Sequence, residues 1–492
     1  MDFTNDFQMT IDGLGVTTAG SVEVMNPAKG QAFAAAPSAS AADLDRAVAA
    51  AKAAFPAWRA TPVAERKRRL VQAAAAIEAH ADDLARLFVL EQGRPFDGAK
   101  GEILQAAGWI NATVGLSLPV DITEDTATLR IEVHHEPLGV VCGIVPWNFP
   151  VLLASWKIAP ALLTGNTLVL KPSPFTPLCT LKIGELLRGI FPPGVLNIIS
   201  GDDALGPLMT AHPGFAKISF TGSTATGKRV METASHDLKR ITLELGGNDA
   251  AIVLPDVDVD QIAEQLFFGA FFNTAQICVA TKRLYIHEDI YDRLRDRLHA
   301  IAQGVTIGDG AEQGSVLGPI QNAVQYRRVL GLIEDARAKG LTLLEGKGVP
   351  EGGGYFIPIT LVDNPPEESR VVVEEAFGPV LPLLRFSDID DVVARANNTD
   401  YGLAGAVWSK DVDQAVAIAH RLETGTVWIN ENLQSTPNTP LAGHKGSGFG
   451  VENGLPGLLE FTQPKAIYIP KAPVVSENRE IDAENAAPAK PA

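Results

Sequence analysis

From Val140 onward the chain repeats one pattern: a short apolar run, a turn containing Gly or Pro, then a helical pattern. The runs are Val140–Val145, Thr167–Leu170, Val195–Ile199, Lys217–Phe220 and Ile241–Leu245. Their apolar character is mostly continuous rather than alternating, which predicts strands buried on both faces, as in a parallel sheet. Parallel strands need crossover connections, so the interleaved helices make this an α/β chain. A second series begins near Ala250, with runs at Ala251–Leu254, Arg283–Ile286, Thr342–Leu344, Phe356–Leu361, Val380–Phe386, Gly405–Trp408 and Thr426–Ile429. It predicts a second sheet.

Other segments fit neither series. Ala41–Arg94 is alanine-rich with helical spacing of Leu44, Val48, Ala51 and Phe55, then Leu70, Ala74, Ile77, Leu84, Leu87 and Leu90. Two or three helices are expected there, broken near Pro56 and Pro62. Ala127–Glu136 alternates like an edge strand, and Ala466–Ile469 reads as a short strand. The tail from Lys471 is rich in Ala, Pro, Glu and Asn and is expected to be disordered. No internal repeat is found. The chain has 492 residues, which calls for two or three domains.

Charge excludes some partners. There are 58 acidic and 41 basic residues, for a net charge of −17, and no basic stripe for a phosphate backbone. The densest basic run, Arg66-Lys67-Arg68-Arg69, reads as the solvated face of a helix. No apolar stretch reaches the roughly 18 residues of a spanning helix, and the acidic start is unlike a secretory signal. Cys142, Cys179 and Cys278 make neither a disulfide framework nor a metal-binding spacing, so no metal is expected and a reducing cytoplasm is the simplest setting.

Three residue types in these patterns can carry chemistry. Cys278 stands in Asn273-Thr274-Ala275-Gln276-Ile277-Cys278-Val279; a free cysteine packs like a small hydrophobe unless its surroundings make it a nucleophile. Glu244, inside an apolar strand run before Gly246-Gly247, is costly to bury as an ion. It suits either a general base or a strand-end carboxylate capping the turn. Asn148 is bracketed by Pro146 and Pro150, which restrict the backbone and so aim its amide. It reads as an oxyanion donor or as a local turn residue. Lys171 follows a strand at the end where open sheets bind ligands. Phe220-Thr221-Gly222-Ser223-Thr224-Ala225-Thr226-Gly227 joins a strand to a helix and offers free amides to phosphate, or is merely a tight turn.

Taken together, Trp147–Pro150, Leu168–Pro172, Phe220–Thr224, Leu243–Gly247, Gln276–Cys278, Glu375–Pro379 and Leu441–Gly448 resemble the aldehyde dehydrogenase superfamily in order and spacing, over roughly Val22 to Pro470. The resemblance implies a modified Rossmann cofactor domain (1–117 and 137–245) and a second α/β catalytic domain (246–460). It also implies a small β bridging element used in oligomers (118–136 and 461–470). Cys278 is then the nucleophile, Asn148 with the Cys278 N–H the oxyanion site, and Glu244 the base that resolves a thioester with water. Val145, Trp147, Lys171, Gly222, Ser223, Gln325, Glu375 and Phe377 fall at cofactor positions. Lys157 and Glu452 match a pair that passes protons from the base.

The same resemblance implies a substrate channel of Phe149, Trp156, Phe272, Ile277, Val279 and Leu441, apolar and without arginine. An aromatic or medium aliphatic aldehyde is expected, and the absence of Trp, Tyr or Phe from Asn432–Pro440 disfavours a quaternary ammonium aldehyde. This chain departs from the family pattern at three places. Pro174 replaces a glutamate that repels a 2′-phosphate, so NAD is the default cofactor and NADP stays open. Ala275 replaces a glycine before Gln276 and stiffens the nucleophile loop. Leu441-Ala442-Gly443-His444-Lys445 lacks the usual aromatic wall. A homodimer or homotetramer in the cytoplasm, with no nucleic-acid or membrane partner, completes the expectation. The alternatives are a CoA-acylating semialdehyde dehydrogenase, against which Glu244 argues, and a catalytically idle structural or binding protein on the same scaffold.

Overall fold

The computed structural model describes residues 2–471, so all of the expected tail beyond Lys471 lies outside the described residues. Two large sheets organise the chain. The first is ordered Leu14–Val16, Met9–Ile11, Leu196–Ile198, Thr167–Lys171, Val140–Ile144, Lys217–Thr221, Arg240–Glu244, Gly448–Phe449. Its five inner strands run parallel, and the pairings at both ends are antiparallel. Thr167–Lys171 and Lys217–Thr221 are buried at every position, as in a sheet covered on both faces, although Lys217, Ser219 and Thr221 alternate with apolar residues in the second of them. The crossover helix Pro150–Leu163 is likewise buried all round.

The strand order reverses at Val140–Ile144, which lies between Thr167–Lys171 and Lys217–Thr221. Ligands of open parallel sheets bind outside the carboxyl ends at such a reversal. The second sheet is ordered Thr342–Glu345, Thr360–Asp363, Val380–Phe386, Thr281–His287, Asp249–Val253, Ala404–Trp408, Thr426–Ile429. Only its Thr342–Glu345 pairing is antiparallel. One core cluster fills the first sheet and the N-terminal helices, and two others cover the faces of the second sheet. This α/β architecture of two sheet units is the one expected, although Gly448–Phe449 returns from late in the chain to close the first sheet.

Several local expectations need correction. The helix Ala41–Ala60 runs unbroken through Pro56. Pro56 is exposed and so is Lys52, whose carbonyl loses its partner, so water replaces the missing bond and only Pro62 ends a helix. Arg66 is no surface residue: it is buried, its Nε donating to the Leu163 carbonyl at 2.9 Å at the end of the crossover helix. Leu129–Pro137 is the central strand of a three-stranded sheet, not an edge. Its second neighbour, Asp121–Asp125, is fully exposed and polar and left no periodic trace. Thr360–Asp363 begins after Pro358, which has no N–H to give a ladder, so the strand expected from Phe356 starts late. The short N-terminal strands, including the Ser21–Asn26 and Gln31–Pro37 hairpin, went unread.

Candidate active site

Three chain exits at the reversal point converge. Val140–Ile144 gives way to Val145 through Phe149, Lys217–Thr221 to Gly222-Ser223, and Arg240–Glu244 to Leu245-Gly246. One cleft is lined by Pro146, Trp147, Asn148, Leu153, Thr221, Gly222, Ser223, Leu245, Gly246, Cys278, Gln325, Arg328, Glu375 and Phe377. Asn148, Cys278 and most of the residues expected at cofactor positions therefore share a single depression. Val145 anchors its rim from below, its N–H donating to the Lys171 carbonyl at 3.1 Å.

Cys278 lies between the turn Phe272–Ala275 and the strand Thr281–His287. Asn273, Thr274 and Ala275 all take left-handed backbone, with φ of 53°, 55° and 60°. Side chains disfavour that conformation, because Cβ crowds the following carbonyl. Surrounding bonds hold it. The Asn273 carboxamide oxygen accepts from Arg94 Nε at 3.0 Å and its Nδ2 donates to the Asn148 carbonyl at 3.2 Å. Thr274 Oγ1 donates to the Gly318 carbonyl at 2.8 Å. Asn148 Nδ2 reaches the same loop, donating to the Gln276 carbonyl at 3.0 Å. Cys278 is half-buried, and burial pushes its thiol up to about 12. Cys142 and Cys179 are fully buried in the core, and burial raises both thiols.

Glu244 ends its strand with Oε1 enclosed and without a hydrogen-bond partner. Burial drives its carboxyl well above the ordinary range; the Glu452 charge adds to the effect and Lys157 opposes it. Those two groups form a buried pair of their own. Lys157 Nζ is 2.9 Å from Glu452 Oε1 and also donates to Ser219 Oγ and Thr221 Oγ1, each at 3.0 Å. The pair seen in the sequence thus stands electrostatically next to the carboxylate it was expected to serve.

The other side of the cleft suits a nucleotide. A Cβ on Gly246 would lie 2.4 Å from Glu375 Oε2, so the chain is bare where that carboxylate enters. Glu375 Oε1 accepts from the Gly247 N–H at 3.1 Å. Gln325 Nε2 ties down the turn beside it, donating to the carbonyls of Ala376 at 2.8 Å and Phe377 at 3.0 Å. Phe377 (φ 50°) meets Trp147 edge-on at 5.4 Å between ring centres. Ser223 caps the helix Thr224–Ser235, whose N-terminus opens on the cleft. Lys171 is buried at its strand end, with burial lowering its ammonium to about 8 and only the Pro172 carbonyl as acceptor. Uncommitted donors at a helix N-terminus and a lysine fit the phosphates and ribose of a dinucleotide. Among the described residues no group of ligating side chains could hold a metal ion, and no helix is long and apolar enough to cross a membrane.

The six channel residues do not line one cavity. Phe272 is exposed and lines a separate pocket with Gln105, Gln265, Phe268 and Glu431. Trp156 lines a narrow cleft with Trp109 and Asn453. Ile277 is buried and Val279 half-buried beside Cys278, while Leu441 pairs with the backbone of Glu452. Phe149 is half-buried with the Arg94 guanidinium 4.3 Å from its ring centre, so an arginine does stand behind this wall.

Arg94, Glu102, Lys282 and Arg328 are site residues that the sequence did not single out. Arg94 and Glu102 form a buried ion pair at 2.7 Å, and Arg94 Nη2 donates to the Asn148 carbonyl at 2.7 Å. Lys282 Nζ donates to the Cys278 carbonyl, and Arg328 Nη2 to that of Glu375 at 2.8 Å. Arg94 marks only the end of the alanine-rich helical stretch in the sequence, and its contact with Asn148 becomes visible only in the fold. For Lys282 a signal existed: a charge four residues past a candidate nucleophile, at the start of a buried run.

Residues 16–467 match the Aldehyde dehydrogenase family. Aldehyde dehydrogenase LUC3 of a Fusarium species is 41% identical over 473 residues, covering 96% of this chain and 100% of that protein. Phenylacetaldehyde dehydrogenase of Pseudomonas fluorescens is 38% identical over 484 residues, covering 94% of this chain and 95% of that one. The crystal structure of a point variant of Staphylococcus aureus betaine aldehyde dehydrogenase, bound to NAD+, superposes with a TM-score of 0.91 at 32% identity, covering 96% and 98% of the two chains. With its pattern, its relatives and its fold in agreement over nearly its whole length, the chain belongs to the aldehyde dehydrogenase family.

Proposed function

We propose that this protein oxidises an aldehyde to the carboxylic acid with NAD(P)+, Cys278 being the nucleophile. The observation that carries the reading is the single cleft at the strand-order reversal. It contains Cys278 and the Asn148 amide together with Glu375, Phe377, Gly222 and Ser223. The Cys278 thiolate adds to the aldehyde carbon, and the new oxyanion is held by the Asn148 amide and the Cys278 N–H. Bound NAD(P)+ supplies the hydride acceptor, which leaves a thioester on Cys278. Glu244 then takes a proton from water as that water attacks the thioester. The C–S bond breaks, the acid leaves and the thiolate is restored. The spare proton passes from Glu244 toward the Lys157–Glu452 pair.

Lys171, Ser223, Glu375, Phe377, Trp147 and Gln325 hold or frame the cofactor in this reading. NAD is the default, since no acid at Pro174 excludes NADP and no arginine there rewards it. Residues 1–117 and 137–245 serve the cofactor and 246–460 the chemistry. The exposed sheet of 118–136 and 461–470 serves assembly into a cytoplasmic dimer or tetramer. An aromatic or medium aliphatic aldehyde suits the apolar Ile277 and Val279 that flank Cys278, and the relative named for phenylacetaldehyde supports that class.

Measuring kcat/KM for benzaldehyde, hexanal, succinate semialdehyde and betaine aldehyde, each with NAD and NADP, tests the reading. A neutral aldehyde should come out best; a charged one doing so overturns the substrate class. Cys278→Ala should lose at least about 99% of turnover while still binding cofactor, as expected when a nucleophile is removed.

A further inference from the structure

The cysteine proposed as nucleophile lies in surroundings hostile to a thiolate. The charges of Glu244 at the end of one sheet, Asp249 at the start of the strand Asp249–Val253 and Glu375 in the turn before Val380–Phe386 all act against it. Asp249 Oδ2 is itself buried without a partner. Against these three carboxyl groups, the cation that acts most strongly on the thiol is Lys282. Its side chain is buried, and its Nζ donates to the Cys278 carbonyl at 2.6 Å and to that of Ala280 at 3.2 Å. Glu375 Oε1, the carboxylate nearest to it, is 3.8 Å away.

We propose that Lys282 is the positioning residue that makes Cys278 reactive, fixing its peptide through the carbonyl and supplying the positive charge against which the thiolate forms. The inference rests on the reading of Cys278 as nucleophile. An ammonium held by two carbonyls, with no carboxylate in direct contact, keeps its field available to a neighbouring group. An opposite charge within a few ångströms favours the ionised thiol, while burial and the carboxyl groups disfavour it. Removing this cation leaves the disfavouring influences to dominate. Glu375, proposed to hold the cofactor, lies 3.8 Å from the same ammonium, so the charge sits between nucleophile and cofactor site.

The test is the pH dependence of Cys278 alkylation by iodoacetamide in the full-length, cofactor-free protein. Cys142 and Cys179 are fully enclosed, and a Cys278→Ala control identifies the labelled residue. Lys282→Met should raise the alkylation midpoint by a pH unit or more and slow labelling near neutrality about tenfold. Lys282→Arg, which keeps the charge, should stay close to wild type. Lys282→Gln keeps a donor for the carbonyl but not the charge, and should behave like Lys282→Met; it also serves if the methionine variant does not fold. A midpoint unchanged in both neutral variants overturns the proposal. Separately, Cys278→Ala that still forms NADH at a wild-type rate overturns the nucleophile reading, whatever Lys282 does to labelling.

Discussion

Arg94 and Glu102 meet at 2.7 Å as a fully buried ion pair, and between them they hold three segments around the cleft. Glu102 Oε1 accepts the N–H groups of Val151 at 3.0 Å and Leu152 at 3.1 Å, at the N-terminus of the helix that carries Lys157. Arg94 holds the Asn148 carbonyl with one nitrogen and the Asn273 side chain with another. The Asn148 segment, the turn before Cys278 and the helix carrying Lys157 are therefore fixed to one another through two side chains far from them in sequence.

Breaking a buried pair from one side leaves an uncompensated charge, so Glu102→Gln should destabilise the protein by about 3–5 kcal/mol. Replacing both partners with apolar residues should cost less than the worse single change, because neither charge is then stranded. Urea denaturation of Glu102→Gln, of the matched singles Arg94→Met and Glu102→Leu, and of their double variant measures this. Simple additivity would show that the two side chains act independently.

Ala275 occupies a backbone position, φ 60°, that glycine adopts freely. Left-handed backbone costs an L side chain about 1–2 kcal/mol, and glycine gives back about 0.4–1 kcal/mol through the unfolded chain. Ala275→Gly should therefore be neutral or stabilising by up to about 1 kcal/mol. Thermal unfolding is the measurement, and a clear loss of stability means the turn is set otherwise. The looser turn should also lower kcat more than it raises KM.

Much of this was legible in the sequence because burial leaves a compositional mark. Continuous apolar runs such as Val140–Val145 announced strands covered on both faces, and their exits located the cleft. Cys278, Glu244 and Asn148 became meaningful through spacing and family resemblance rather than through local composition. What stayed hidden depends on distance. The Arg94–Asn148 bond spans 54 residues, and the contact of Gly448 with Glu244 spans 204. The helix through Pro56 was misread because a lone proline is tolerated where water can serve the freed carbonyl. Arg66 was misread because a basic run looks solvated until one member finds three backbone carbonyls.

Glu244 gives a pH dependence of known sign. Its carboxyl is raised well above 4.5 by burial, and it must be ionised to take a proton from water. In the proposed reaction steady-state kcat should therefore climb with pH through that raised value and level off above it, while the fold loses stability from the ordinary carboxylate range up to that value, because the unfolded chain ionises first. Glu244→Gln should form NADH in a rapid burst followed by slow turnover, and its stability should lack that loss on raising pH. Stopped-flow absorbance and denaturation at several pH values test both. A slowed burst would instead assign Glu244 to activating the thiol.

Pro174 sits half-exposed in the turn after Lys171, where the cofactor's adenosine ribose is proposed to bind. A carboxylate placed there meets a 2′-phosphate with like charge, yet can accept hydrogen bonds from the unmodified ribose hydroxyls. Lys171, nearly free of acceptors, attracts either form. Pro174→Glu should thus lower kcat/KM with NADP by about tenfold or more, equivalent to about 1.4 kcal/mol of repulsion, and leave the value with NAD unchanged or improved. Initial rates with both cofactors at one saturating aldehyde concentration decide it. Equal losses with NAD and NADP would mean that the substitution disturbs the turn itself. Discrimination unchanged from wild type would place the ribose away from Lys171.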